Sequence, residues 1–202
     1  MKLITKKEKF HADVLKLIYE KGFKATTIRD IAKNGNFEVA NVYNYIDSKE
    51  AFLEGCIFNI FNEFNGYIDD ILESSFSPKE KLKYVVSKHV QFTMKEPYQV
   101  ALFVYDWRNL NEPKLSEFKQ LRKAYILKVE TIISQGMKEG QFRTMDSEIA
   151  TFLVFSSLRW IFNIIIHKKG EKKINVIELE KQINDFIFGG IESKGINNGI
   201  EL

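Results

Sequence analysis

Apolar residues recur at helical spacing along nearly the whole chain, and no run alternates with the two-residue period of a strand. Phe10, Val14, Leu17 and Ile18 form a first stripe, which Gly22 ends. Ile28, Ile31 and Ala32 form a shorter one behind Thr26 or Thr27, either of which can cap a helix by accepting a first-turn N–H. Asn34-Gly35-Asn36 then predicts a sharp reversal, because Gly and Asn tolerate the left-handed conformation, and Phe37 follows as a core plug. A second short helix is predicted from Glu38 to Tyr45, with Val42 facing the first and Asn41, Asn44 and the two tyrosines more exposed.

Asp47 or Ser48 caps a long helix running toward Ser74 or Ser75, with Phe52, Leu53, Cys56, Ile57, Ile60, Phe61, Phe64 and Ile68 inward. Ser77-Pro78 opens another, since proline suits the first helical position. Pro97 and Pro113 bracket a short helix from about Tyr98 to Leu110, and a long one follows from about Lys114 to Glu139. An apolar helix over 149–167, a solvated link at 168–173 and an amphipathic helix over 175–188 complete the pattern. Gly189-Gly190 is expected to stop that last helix, and residues 195–202 to form a disordered tail.

The run Leu17, Gly22-Phe23, Thr26-Thr27-Ile28, Asp30-Ile31-Ala32, Val42-Tyr43, Tyr45 and Ser48-Lys49-Glu50 resembles the DNA-binding domain of TetR-type transcriptional regulators. The likeness covers roughly the first fifty residues. It departs from the family pattern in the turn, where Gly35-Asn36 replaces the usual Ala-Gly, and at Glu38 and Ala40-Asn41 on the recognition helix. The resemblance implies an all-α protein: an N-terminal three-helix helix-turn-helix DNA-binding domain (residues 1–48) and a C-terminal helical ligand-binding and dimerisation domain (residues 49–202). It also implies a double-stranded DNA operator as partner. Asn41 and Asn44 are then the candidates for base edges, since a carboxamide pairs bidentately with adenine. Val39 joins them on the recognition helix, while Thr26, Thr27, Tyr43, Tyr45 and Lys49 would hold phosphates and set register.

The segment from Phe152 to Ile166 is apolar around most of its circumference, so a single supporting face cannot cover it. The resemblance implies that the two C-terminal helices pair with their mates in a homodimeric four-helix bundle. Serine, arginine and asparagine interrupt this run at Ser156, Ser157, Arg159 and Asn163, where a bilayer span needs about 20 mostly apolar residues. It is expected to be a buried helix, with no membrane partner. With no signal segment visible, the protein is expected to be cytoplasmic.

A small-molecule effector is the other expected partner. Phe61, Phe64, Phe92, Phe103, Trp107, Tyr125 and Phe155 could line an apolar pocket, although aromatics at helical spacing chiefly fill cores. Arg108 or Arg159 near such a pocket could hold an acidic head group, the alternative for Arg108 being an ion pair with Asp106 or a surface carboxylate. Tyr105 to Leu110, Arg122 to Tyr125 and Gly136 to Phe142 faintly resemble TetR-type regulators that sense fatty acids or acyl-CoA thioesters, which makes such a compound the expected effector.

Composition narrows the rest. The chain has 202 residues, a net charge of only +3 and a sequence pI near 8.7, so nucleic-acid binding must rest on local basicity. Lys2, Lys6, Lys7 and Lys9 offer either an arm reaching toward phosphate or a frayed terminus. The single Cys56 excludes an internal disulfide. His11, His89 and His167 match no metal-ligand spacing, and no phosphate-cradling glycine loop or nucleophile elbow is present, so neither a cofactor, a metal nor an enzymatic activity is expected. The expected function is a ligand-responsive repressor released from a palindromic operator. The altered turn leaves one alternative, a ligand-binding or interaction module that no longer reads DNA.

Overall fold

The computed structural model describes residues 5–168 and 174–192. Within them lie α1 (Lys6–Lys21), α2 (Ile28–Gly35), α3 (Val39–Val42), α4 (Lys49–Glu73), α5 (Pro78–Lys95), α6 (Pro97–Asp106), α7 (Lys114–Lys138), α8 (Ser147–Arg159), α9 (Ile161–Lys168) and α10 (Val176–Ile191). A 3-10 turn, Trp107–Asn109, follows α6. Among the described residues the one extended pairing is a bridge between Phe142 and Glu192.

Local chemistry starts these helices where side chains can satisfy the orphan donors of a first turn. Thr5 and Glu8 cap α1 reciprocally, which draws Lys6, Lys7 and Lys9 into an ordered first turn rather than an arm. Lys2 and the 195–202 tail lie outside the described residues, as does most of the 168–173 link. Of the two threonines, Thr27 caps α2, exchanging bonds with Asp30. Ser48 caps α4 through the Ala51 N–H at 2.9 Å. Ser77 and Glu80 do the same for α5, with Pro78 at its first position. Lys81, almost fully buried, donates to the Leu72 carbonyl at the end of α4.

Two expectations fail at the C-terminal end. The apolar run is not one helix but two, broken at Trp160, even though Ser147–His167 is long and apolar enough by composition to cross a membrane. The glycine pair does not stop α10, which continues to Ile191. Two interior glycines cost about 1 kcal/mol each relative to alanine, and burial of Ile187, Phe188 and Ile191 on the same helix offsets that. The backbone of Ile191 then accepts from Arg143 at 2.8 Å, which fixes the helix end.

Packing gathers the chain into two compact units, one of residues up to Glu63 with Glu96–Leu121, the other of Phe64–Lys95 with the residues from Arg122 onward. Helices α4 and α7 contribute residues to both. In the first unit Phe10, Val14, Leu15, Ile18, Ile31, Val42, Leu53 and Ile57 form the core beneath α2 and α3. Helix α6 packs on α1, with Tyr98 edge-on to Tyr19 at 5.6 Å. In the second unit α10 lies on α5 and α8, and α9 on α5.

Candidate nucleic-acid interface and effector site

The turn between α2 and α3 works differently from its sequence signature. Asn36 is the left-handed residue, at φ 54° and ψ 44°, and its N–H closes α2. Gly35 has no such φ; it is glycine because the Phe37 ring lies where its Cβ would stand. Phe37 in turn packs against Phe10 and Tyr45, 5.7 and 5.6 Å between centroids.

The reading element itself is short. Only Val39–Val42 is α-helical, after which Asn44 and Tyr45 donate to Asn41 and Val42 in tighter i to i+3 turns. Val42 is fully buried, so the element is pinned by one side chain and turns Val39, Asn41, Tyr43 and Asn44 outward. Tyr43 is 53% exposed. Tyr45 faces inward, stacked on Phe10 at 4.6 Å, and the Tyr45 backbone accepts a hydrogen bond from His11.

Two residues expected at phosphates have occupations inside the fold. Thr26 is 0% exposed and donates its hydroxyl to the Gly22 carbonyl at 2.8 Å, so it offers nothing to a phosphate. Lys49 donates to the carbonyls of Phe23 and Thr26, each at 2.9 Å, and its ammonium lies 4.3 Å above the Phe23 ring. That ammonium therefore ties the start of α4 to the loop before α2. Thr27 remains exposed, and beside it Asp30 pairs with Lys21 at 2.7 Å. The Lys21 ammonium and the Thr27 bonds hold the Asp30 carboxyl well below the usual carboxylate range. Sequence reasoning passed over Lys24, Arg29 and Lys33, which stay exposed on this head; the i, i+4 spacing of Arg29 and Lys33 was the available signal.

The aromatic candidates divide between the two units. Phe61, Phe103 and Trp107 belong to the first, where all three rings surround the fully buried Phe118 within 6.3 Å. Arg108 does not bridge to Asp106. It stacks on Trp107 at 4.4 Å, while Asp106, its carboxyl raised by burial, accepts from the Phe23 backbone and from Asn109. Cys56 is half-buried here, and burial pushes its thiol up to about 12, which keeps it an unreactive packing group.

Phe64, Phe92, Tyr125 and Phe155 come together in the second unit around a residue the sequence did not single out, His89. Its ring stacks on Phe64 at 4.1 Å and a 13° angle, and lies 5.8 Å from Phe155. A chain of hydrogen bonds crosses this cage: Tyr67 to Tyr125 hydroxyl at 3.0 Å, and Tyr125 hydroxyl to His89 Nε2 at 2.9 Å. Burial pushes the imidazole down to about 3 and the Tyr125 phenol well above its ordinary value, so both are neutral at physiological pH. The signal was a histidine in register with Val85, Val86 and Phe92 on a largely apolar face. Arg159 is exposed on α8, its guanidinium 5.9 Å from the Trp160 ring.

Helices α8 and α9 bury Ala150, Val154, Leu158, Ile161, Phe162 and Ile165 on one side, leaving Ile149, Phe152, Leu153, Trp160 and Ile164 exposed on the other. On α10, Ile177 and Phe186 are 81% and 75% exposed. These residues leave apolar side chains of α8, α9 and α10 open to solvent.

Comparison with known proteins agrees with this geometry. The family model described as "Bacterial regulatory proteins, tetR family" matches residues 15–56, which hold the helix-turn-helix, and "Tetracyclin repressor-like, C-terminal domain" matches residues 75–163. The fatty acid metabolism regulator protein of Bacillus subtilis is 20% identical over 186 residues, covering 89% of this chain and 92% of that one. The HTH-type transcriptional repressor KstR2 of Mycobacterium tuberculosis is 24% identical over 185 residues, 88% of each chain. The solved KstR2 structure aligns with a TM-score of 0.81 at 18% identity over 96% of this chain and 98% of its own. AibR, solved in complex with isovaleryl coenzyme A and operator DNA, aligns with a TM-score of 0.72 at 18% identity over 94% of this chain and 99% of that one. With a matching N-terminal reading head, a matching C-terminal helical region and relatives alike over nearly their full length, the chain belongs to the TetR family of DNA-binding transcriptional regulators.

Proposed function

We propose that this chain is a homodimeric repressor that leaves a palindromic operator when a small apolar effector binds. The observation that carries the DNA half is the reading element, pinned by Val42 and presenting Val39, Asn41, Tyr43 and Asn44 to solvent. Asn41 and Asn44 read base edges, while Tyr43, Thr27, Arg29 and Lys33 hold phosphates. The reading part ends at Ser48, and the chain from Lys49 onward serves effector binding and dimerisation. Two such elements, brought together by the open faces of α8, α9 and α10, address half-sites a turn or a small multiple apart, about 34–36 Å per turn.

The effector half is supported by the cage around His89 and by the relatives, one named for fatty acid metabolism and one solved with a coenzyme A thioester and operator DNA. Such a protein works where chromosomal DNA is, in the cytoplasm. The test is a gel shift with the DNA upstream of its own gene, followed by protection mapping. A two-fold symmetric footprint supports the proposal; no preference over random DNA at moderate salt replaces it with a ligand-binding module that has lost DNA reading.

A further inference from the structure

The reading element has little of its own to hold its direction. Its α-helix is a single turn, Val39–Val42, and Glu38 at its start makes no side-chain cap. Isolated helices shorter than about 12–15 residues are marginal in water, so tertiary ties must orient one this short. Val42 and Ile46 supply two of them by burying their side chains. Beyond Val42, however, residues Tyr43 to Asp47 border a groove of about 630 Å³, lined also by Lys7, His11 and Phe52. On that side open space, not protein, backs the segment.

Two adjacent residues of α1 reach this segment, and both act on Tyr45. Phe10 stacks on its ring at 4.6 Å, with 21° between the planes. His11 donates a ring N–H to its backbone carbonyl. That donor is Nδ1, because Nε2 is buried without a hydrogen-bond partner. Burial lowers the imidazole pKa against the pull of the Tyr45 carbonyl, and Lys7 adds a smaller push in the same direction as burial. The neutral ring then carries its one proton on Nδ1. Phe52 meets the imidazole edge to face at 5.2 Å and 84°, which fixes the ring plane.

The orphaned Nε2 shows what the imidazole is for. A buried nitrogen without a partner destabilises the fold, and an apolar side chain packed on Phe52 would avoid that. Such a side chain could not hold the Tyr45 carbonyl. With Nε2 enclosed and Nδ1 committed, the ring has no nitrogen left for DNA and acts through Tyr45.

We infer that His11 is a positioning residue for sequence reading. Together with Phe10 it grips Tyr45 by carbonyl and ring, and so sets the rotation at which the adjacent Asn44, and Asn41 one turn earlier, meet base edges. This rests on the DNA-reading function proposed above and adds the residue that aligns it. Hydrogen bonds to base edges weaken steeply with angle, whereas attraction to phosphates carries no sequence information. Loosening the grip therefore costs operator preference and spares general DNA affinity.

The test takes the operator obtained by site selection and measures anisotropy on it and on a random duplex, with full-length protein across a salt series. His11→Leu fills the space without a donor and should lose about five- to tenfold on operator, with random-DNA affinity and salt slope unchanged. His11→Asn places an amide N–H where Nδ1 stands and should recover operator affinity to within about twofold. His11→Gln reaches the place of Nε2 instead and should behave like His11→Leu. Should the leucine variant fail to fold, the contrast between Asn and Gln decides alone. Equal losses on operator and random DNA, a changed salt slope, or Asn and Gln variants that behave alike overturn the proposal. Wild-type protein that prefers no sequence overturns the DNA reading itself and leaves His11 nothing to align, whereas an operator-selecting wild type with an unimpaired His11→Gln variant overturns the role of His11 alone.

Discussion

Replacing Lys49 by methionine separates two uses of one positive charge. The variant keeps the length of the side chain and removes the ammonium that meets the Phe23 and Thr26 carbonyls at 2.9 Å each, 4.3 Å above the Phe23 ring. A hydrogen bond to a charged group contributes about 1.5–3 kcal/mol, and a cation over an aromatic face about 0.5–1 kcal/mol. The Phe23 carbonyl keeps a bond from the Thr26 N–H at 3.3 Å, so the loss concentrates on the Thr26 carbonyl. The expected destabilisation is therefore about 2–3 kcal/mol. In a chain of this size each kcal/mol lowers Tm by about 2–4 °C, so melting should fall by roughly 4–12 °C. Operator affinity, measured by anisotropy across a salt series well below that melting point, should fall with its salt dependence intact. Were Lys49 a phosphate contact, the slope of log K against log salt would drop by about one unit. Wild-type melting combined with that drop would refute the tie.

Three further outcomes follow from the same geometry. Asn41→Ala should relax preference at one base position by about 1–3 kcal/mol; a site selection returning the wild-type sequence removes Asn41 from the readers. Phe152→Asp with Phe186→Asp places charge on the open face of α8 and α10 and should yield monomers by sedimentation, whereas a wild-type protein that is already monomeric at micromolar concentration shows that face is not a dimer interface. Asp30, whose folded pKa is depressed by Lys21 and Thr27, contributes stability that is full above its unfolded value near 4 and is lost as pH falls through the folded one. Asp30→Asn should thus melt below wild type at neutral pH and converge with it in strong acid, and a gap that stays constant with pH would count against this pairing.

Much of the fold was legible because capping chemistry is local. Thr-x-x-Asp before α2 and Ser-Pro-x-Glu before α5 read directly as helix starts, and the structure resolves only which of two adjacent residues acts. What the sequence concealed depends on partners far along the chain. Gly35 and Asn36 look equally suited to a left-handed turn, and only the position of the Phe37 ring assigns steric room to one and the left-handed φ to the other. Gly136 repeats the lesson: it sits inside α7 because the Phe142 ring folds back onto it, which gives the Gly136 to Phe142 segment a packing role. Lys49 reads as a solvent-facing cation until the two carbonyls 23 and 26 residues earlier are in place. His89, dismissed as lacking metal-ligand spacing, acquires meaning only when α7 brings Tyr125 to its Nε2. Local pattern fixes elements; long-range partners assign side chains their work.

Release from DNA then requires a difference in free energy between two states, because an effector shifts an equilibrium only by its differential affinity for them. The chain supplies a physical basis for such a difference. Helix α4 carries Lys49 at its start and Phe64 and Tyr67 further along, while α7 carries Phe118 in the first unit and Tyr125 in the second. A ligand wedged against Phe64 would act on the same helix that carries Lys49 at its start. A coupling of about 1–3 kcal/mol changes operator affinity 5–150-fold. Linkage demands the converse, so operator must weaken effector binding by the same factor. Titrating a candidate acyl-CoA with and without operator measures that factor directly, and equal affinities would mean the compound binds without governing release.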